Sequence, residues 1–296
     1  MLTARFDRTS PSGPGMISTT RSGGPGMLGR QFSIAVLVVC LAFSLPAPTV
    51  HAAGVTPGAS IEVPNFLSDA LRADSRPNED KGRDAGRLPD KVMAFFGLER
   101  GDTVAEFMAS RGYYVGVLSE MVGPSGTVYG HNNSWLTDRI TEGTPLGPRI
   151  KASGLTNVKE LMTELEDPKI PDNTLDQAYM ILFYHDTFWL ETDRPAMNKA
   201  IYDALKPGGV FGVIDHHSAP GMGISDVRGN HRIERHVVVD EITAVGFELV
   251  GETDVLENLE DPLNVIVFQP DLRGDTHRFV LKFQNPWAAK PFAGNV

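Results

Sequence analysis

From Leu88 onward the chain alternates between two hydrophobic rhythms: short unbroken apolar runs, and longer segments with apolar residues three or four apart. The runs predict strands at 103–108, 127–131, 158–162, 178–183, 210–214, 247–253 and 278–283. The run at 178–183 is nearly continuous, as in a strand buried on both faces. The spaced segments predict helices at 88–98, 112–122, 194–205 and 232–245, with 135–150 helical until Gly143 and Pro145 interrupt it. In the first of these Val92, Phe95 and Phe96 share a face. In 194–205, Met197, Ile201 and Leu205 recur every four residues until Lys206-Pro207-Gly208-Gly209 stops the helix. Strands alternating with helices imply parallel neighbours joined by crossovers. The expected fold is therefore α/β, a doubly wound, mostly parallel seven-stranded sheet with helices on both faces. Ligands of such sheets bind beyond the carboxyl ends of the strands.

The first 87 residues break this pattern. Residues 1–29 are rich in Ser, Thr, Gly and Pro; Arg30, an apolar run at 34–45, Pro46, Pro48 and the small residues Ala52 and Ala53 follow. A basic residue, a short apolar core and a small-residue cleavage site read as a secretory signal peptide with a preceding extension over 1–53. That predicts a periplasmic or secreted protein. The run is shorter than the roughly 20 residues a spanning helix needs, so no stable membrane insertion is expected after cleavage. Cys40 lies inside the run, leaving the mature chain without a thiol. Val39 disfavours a lipoprotein reading of that cysteine. Residues 54–87, punctuated by Pro57-Gly58 and Arg76-Pro77-Asn78, read as an N-terminal arm, and 88–296 as the domain. The net charge of the whole chain is −10, and Arg5, Arg8, Arg21 and Arg30 precede the cleavage site, so the mature protein is more acidic still. Such a surface repels phosphate backbones, and no basic stripe offsets it; nucleic acid is excluded as a partner.

The turn after the first strand reads Val104-Ala105-Glu106-Phe107-Met108-Ala109-Ser110-Arg111-Gly112. It resembles the first motif of class I S-adenosylmethionine methyltransferases, in which an acidic residue is followed by Gly-x-Gly-x-Gly. Glu106 matches the acid and Gly112 the last glycine, while Met108 and Ser110 replace the other two. Ala204-Leu205-Lys206-Pro207-Gly208-Gly209-Val210 is similar to the turn before the fifth strand of that superfamily, and 171–176 to the loop entering the fourth. Phe183-Tyr184-His185-Asp186, Ile214-Asp215-His216 and His231-Arg232-Ile233 resemble a bacterial group of predicted methyltransferases with signal peptides. The resemblance spans about 85–286. It implies a Rossmann-like class I methyltransferase fold, S-adenosyl-L-methionine as cofactor, and Glu106, Ala109, Gly112 and Asn132 as cofactor contacts. Asn132 stands where the superfamily has an acid that accepts the ribose hydroxyls. A neutral bond there is weaker by about 1 kcal/mol, roughly fivefold in affinity, so Asn132→Asp is expected to tighten binding.

His131, His185, His216, His217 and His231 fall at strand ends or in the loops after them, with Asp186 and Asp215 beside them. The expectation is one cleft in which His185, Asp186, Asp215, His216 and His231 surround the reacting atom. Either a histidine removes a proton from the acceptor, or Asp186, Asp215 and a histidine hold a divalent metal. No tight ligand spacing on one element favours the metal, and none is assigned from sequence. The expected activity is methyl transfer to a small-molecule acceptor. The alternative is an exported protein of this fold that binds a ligand without transferring a methyl group. A nicotinamide oxidoreductase is disfavoured by the missing Gly-x-Gly-x-x-Gly. The acidic stretch 257–261 reads as a solvated loop.

Overall fold

A computed structural model of the chain describes residues 60–286; the signal-peptide reading of 1–53 and Cys40 lie outside these residues. Four helices come first, α1 (Asn65–Ala70), α2 (Asn78–Lys81), α3 (Asp84–Arg87) and α4 (Pro89–Phe96). Then follow β1 (Thr103–Phe107), α5 (Tyr113–Val122), β2 (Thr127–Asn132), α6 (Ser134–Arg139), α7 (Gly147–Ala152), β3 (Val158–Met162) and β4 (Leu175–Ile181). A 3-10 turn (Tyr184–Phe188) leads to α8 (Arg194–Ala204), β5 (Leu205–His216), α9 (Arg235–Ala244), β6 (Glu248–Thr253) and β7 (Arg278–Gln284).

The seven strands form one sheet in the order β3-β2-β1-β4-β5-β7-β6. The first five run parallel; β7 lies antiparallel between β5 and β6. Successive side chains on a strand face opposite ways, and the apolar ones sort accordingly into two cores. Phe107, Ala178, Met180, Phe211, Val213 and Leu281 join one; Val104, Tyr179, Ile214 and Val280 join the other. Gly212 is required where β5 passes under α4, since a Cβ there would lie 2.7 Å from the Phe96 ring. The described part of the arm joins the second core through Leu67 and Ala70, packed with Tyr113 and Val117.

Several boundaries differ from the expectation, and two of these differences shape the site. β4 stops at Ile181, because Leu182 turns into the left-handed region (φ 58°) and starts the 3-10 turn carrying His185 and Asp186. The helix expected from 232 begins at Arg235, because Arg232 is fully buried and Ile233 bridges to the end of β5. The Lys206-Pro207-Gly208-Gly209 stretch belongs to β5 itself. Among the described residues no helix is long and apolar enough to cross a membrane.

Candidate functional site

The loop leaving β1 and the 3-10 turn leaving β4 start from neighbouring strands on one edge of the sheet, Glu106 pairing with Tyr179 and Phe107 with Met180. At the first, Met108 (φ 56°), Ser110 (φ 53°) and Gly112 (φ 76°) all take left-handed conformations. These are the three glycine positions of the resembled motif, so the backbone path survives although two side chains have been added. A left-handed non-glycine residue costs about 1–2 kcal/mol, and neighbouring contacts hold the loop there. The Ala109 amide donates to the His131 carbonyl at 2.8 Å. Asn132 is fully buried; its Oδ1 accepts from the Ser110 amide at 2.8 Å and its Nδ2 donates to the Ser110 carbonyl at 3.0 Å.

That geometry gives Asn132 a structural role: the amide braces the loop, Oδ1 and Nδ2 each engaged by Ser110. An acid at this position faces the Ser110 carbonyl with a second acceptor. Asn132→Asp is therefore expected to cost about 3 kcal/mol at neutral pH, as a buried charge with one bond lost. Urea melts should show the loss shrinking at acid pH, where a protonated carboxyl donates again; equal stability of the two proteins at pH 7 would refute the brace.

Glu106, at the end of β1, is almost wholly buried, and its Oε2 has no hydrogen-bond partner. Burial pushes its carboxyl up to about 8, against the pull of Arg87, Arg149 and Arg83. Those arginines belong to a cover supplied largely by the arm. Arg76 binds both oxygens of Asp84, which also accepts from the Tyr113 hydroxyl at 2.6 Å. Arg149 on α7 pairs with Asp80 on α2 and donates to the Arg111 carbonyl at 2.7 Å. Arg83 and Arg87 lie over the Tyr113 ring. Leu146 fills the space beside Gly112, where a Cβ would come within 2.8 Å of it.

The second centre is the histidine–acid cluster. Asp215, fully buried at the end of β5, accepts from the His185 amide and the His216 amide, each at 2.8 Å. Its Oδ1 lies 2.7 Å from His185 Nδ1, which donates to it. His185 Nε2 then points at Asp186 Oδ1 (3.0 Å) and His231 Nδ1 (3.2 Å). His231 Nδ1 is itself 3.1 Å from Asp186 Oδ1, which also accepts from Trp189 Nε1 at 2.9 Å. Burial opposes a charge on His185, but Asp215 and Asp186 outweigh it and push the imidazole up to about 10. Asp186 is held down at about 2, burial being overcome by His185 and His231. His231 sits in the left-handed region (φ 56°). Its neighbour Arg232 is clamped by both oxygens of Asp261 and by the carbonyls of His217 and Val265. Trp189 and Phe268 flank the His231 ring, their centroids 6.4 and 4.9 Å away, and Trp135 packs edge-on against Trp189.

Four of the five residues expected in the cleft therefore meet: His185, Asp186, Asp215 and His231. His216 does not; it turns behind His185 and pairs through Nδ1 with Thr276 Oγ1 at 2.7 Å. Of the remaining histidines, His131 is buried against Phe107, where desolvation pushes it down to about 4. His217 stacks on His277 at 4.4 Å. The solvated reading of 257–261 holds for Glu257, Leu259 and Glu260 but not for Asp261, whose carboxylate is fully enclosed against Arg232. Trp189 and Phe268 supply the aromatic groups beside His231.

No protein-family model and no curated protein sequence matches this chain. Among solved structures, a SAM-dependent methyltransferase from Aquifex aeolicus aligns over 71% of this chain and 98% of its own, with a TM-score of 0.50 at 22% identity. The fold is the class I methyltransferase fold. The 4+2 cyclase SpnF shares it, over 75% of this chain and 93% of its own, with a TM-score of 0.52 at 18% identity. At such identities the class I fold is what is shared. Two neighbours named for different reactions illustrate why the chemistry must be argued from the site.

Proposed function

We propose that this is an exported S-adenosylmethionine-dependent methyltransferase acting on a small, hydroxylated acceptor held at the His185–Asp186–His231 cluster. The observation that carries the reading is the placement of two centres on one sheet edge. A loop with the left-handed path of a Gly-x-Gly-x-Gly turn follows β1, and a polar cluster follows the adjacent β4. The residues present fit the cofactor in two respects. The loop path is retained, and the unpartnered Glu106 Oε2 offers a buried acceptor to an ammonium group. In a third respect they depart, since Asn132 is already engaged by Ser110.

When bound, the cofactor supplies an electrophilic methyl: the acceptor's lone pair forms the new bond to carbon while the carbon–sulfur pair returns to sulfur. The chain's own residues position the acceptor and receive its proton. Asp215 fixes the ring of His185 through three hydrogen bonds to its surroundings. His231, about one-fifth exposed, is the ring of the cluster that an acceptor reaches. The aromatic rings of Trp189 and Phe268 beside His231 suit a flat molecule. Holding acceptor and methyl in line supplies most of the acceleration, and proton removal a further 10²–10⁴-fold or so.

The test is transfer of labelled methyl from S-adenosylmethionine to a panel of phenolic and aliphatic hydroxyl compounds by the full chain. His231→Ala is expected to lower turnover about 100-fold without unfolding the protein. Tight binding of the panel compounds with no transfer would support the other reading, a ligand-binding protein of this fold, which the engagement of Asn132 favours.

A further inference from the structure

The geometry points to a divalent transition-metal site formed by His185 Nε2, Asp186 Oδ1 and His231 Nδ1. The three atoms make a nearly equilateral triangle with edges of 3.0, 3.1 and 3.2 Å. Donors about 2.1 Å from one ion and at right angles to one another lie about 3.0 Å apart, whereas tetrahedral donors lie about 3.4 Å apart. The edges therefore match one face of an octahedron, with the opposite face open. Hydrogen bonding alone accounts less well for the arrangement. Two imidazole nitrogens face each other at 3.2 Å, and both aim at an oxygen that Trp189 Nε1 already occupies. An ion uses all three lone pairs at once.

The surroundings orient the ligands toward a common point. Asp215 accepts from His185 Nδ1, so the proton stays on that nitrogen and Nε2 is the nitrogen that faces the triangle, where an entering ion would displace its proton. Asp215 is itself fixed by the amides of His185 and His216. Trp189 orients Asp186 in the same way. On the third ligand, the left-handed backbone of His231 lies beside Arg232, anchored by four side-chain hydrogen bonds, and Ile233, whose amide donates to the His216 carbonyl. The Asp186 and His231 side chains are 14% and 21% exposed, which leaves a way in for an ion and for ligands at its open face. Two imidazoles with one carboxylate select a first-row divalent ion such as Zn²⁺, Mn²⁺, Fe²⁺ or Co²⁺ over Mg²⁺ or Ca²⁺, which prefer all-oxygen donors. The site is defined by these contacts and does not depend on the methyl-transfer reading. If that reading holds, an acceptor oxygen coordinated at the open face would lose its proton more readily.

The test uses the full-length protein, freed of metal with a chelator and titrated with Co²⁺ and Zn²⁺. One equivalent of Co²⁺ is expected to give ligand-field bands in the visible region that Zn²⁺ bleaches. Asp186→Asn and His231→Ala should each weaken Co²⁺ binding at least 100-fold. Asp215→Asn, which only positions His185, should weaken it about 10–100-fold. His236→Ala, on the exposed start of α9, should change nothing. Circular dichroism and the retained melting transition of His231→Ala separate lost ligation from lost fold. Absence of a saturable band, or equal affinity in wild type, Asp186→Asn and His231→Ala, would overturn the site. Metal binding without methyl transfer would instead refute the proposed function and leave the site standing.

Discussion

Replacing Glu106 by Gln is expected to stabilise the protein by about 3 kcal/mol at pH 7 and to change nothing near pH 4. The carboxyl ionises near 4.5 in the unfolded chain but is pushed up to about 8 in the fold, by burial that Arg87, Arg149 and Arg83 only partly offset. A folded-state pKa above the unfolded one favours the native state while the group is protonated. Its contribution is therefore complete below about pH 4.5 and is lost as pH rises through 8. The shift corresponds to about 5 kcal/mol in full and about 3 kcal/mol at pH 7. Gln is isosteric and neutral, so it removes the pH dependence. Urea melts of both proteins between pH 4 and 9 measure the difference; parallel stability profiles would contradict it. Under the proposed function the stabilisation carries a penalty, because Glu106 Oε2 is a buried acceptor beside the loop with no hydrogen-bond partner of its own. Above about pH 8, where the carboxyl is ionised, the same variant should bind S-adenosylmethionine at least tenfold more weakly, the loss of a charged hydrogen bond being worth about 1.5–3 kcal/mol. A residue that costs stability and serves a ligand is a common compromise at binding sites.

Asp261→Ala is expected to destabilise the protein by about 3–5 kcal/mol. Arg232 has no exposed side-chain surface, and Asp261 takes both of its terminal nitrogens at 2.9 and 3.0 Å. Removing the acid leaves a buried guanidinium with only two carbonyls. It also frees the amides of Leu263 and His277, which Asp261 now accepts. The double variant Arg232→Met/Asp261→Leu should recover part of the loss, since it removes the unpaired buried charge but still leaves the Leu263 and His277 amides without Asp261. Denaturant melts of the three variants test this; a single variant within 1 kcal/mol or so of wild type would contradict the clamp. The change reaches the candidate metal site because Arg232 adjoins His231. A variant that keeps its fold should still lose Co²⁺ affinity.

The strands and their pairing were legible because burial on both faces leaves unbroken apolar runs, and all seven sit in one sheet as expected. His185 and Asp215 were legible as partners for a related reason: each follows a strongly apolar strand, and β4 pairs with β5. The remainder depended on contacts between distant segments. Nothing local to Asp261 announces Arg232, and an acidic loop beside a proline has the composition of a solvated one. The brace made by Asn132 was not legible, because sequence shows the side chain but not that Ser110, earlier in the chain, binds both its oxygen and its nitrogen. Met108 and Ser110 looked like losses from a glycine motif, yet φ shows that the path those glycines allow is kept. His216 was misplaced because alternation along β5 sends it away from Asp215.

The proposed function requires that the loop after β1 bind S-adenosylmethionine. Calorimetric titration of the full chain with S-adenosylmethionine, and with its demethylated product, tests it most directly. Saturable binding of one equivalent of each is expected, unaffected by His231→Ala and, above about pH 8, weakened at least tenfold by Glu106→Gln. No heat of binding in the wild-type protein, or heats that Glu106→Gln leaves unchanged above that pH, would contradict it.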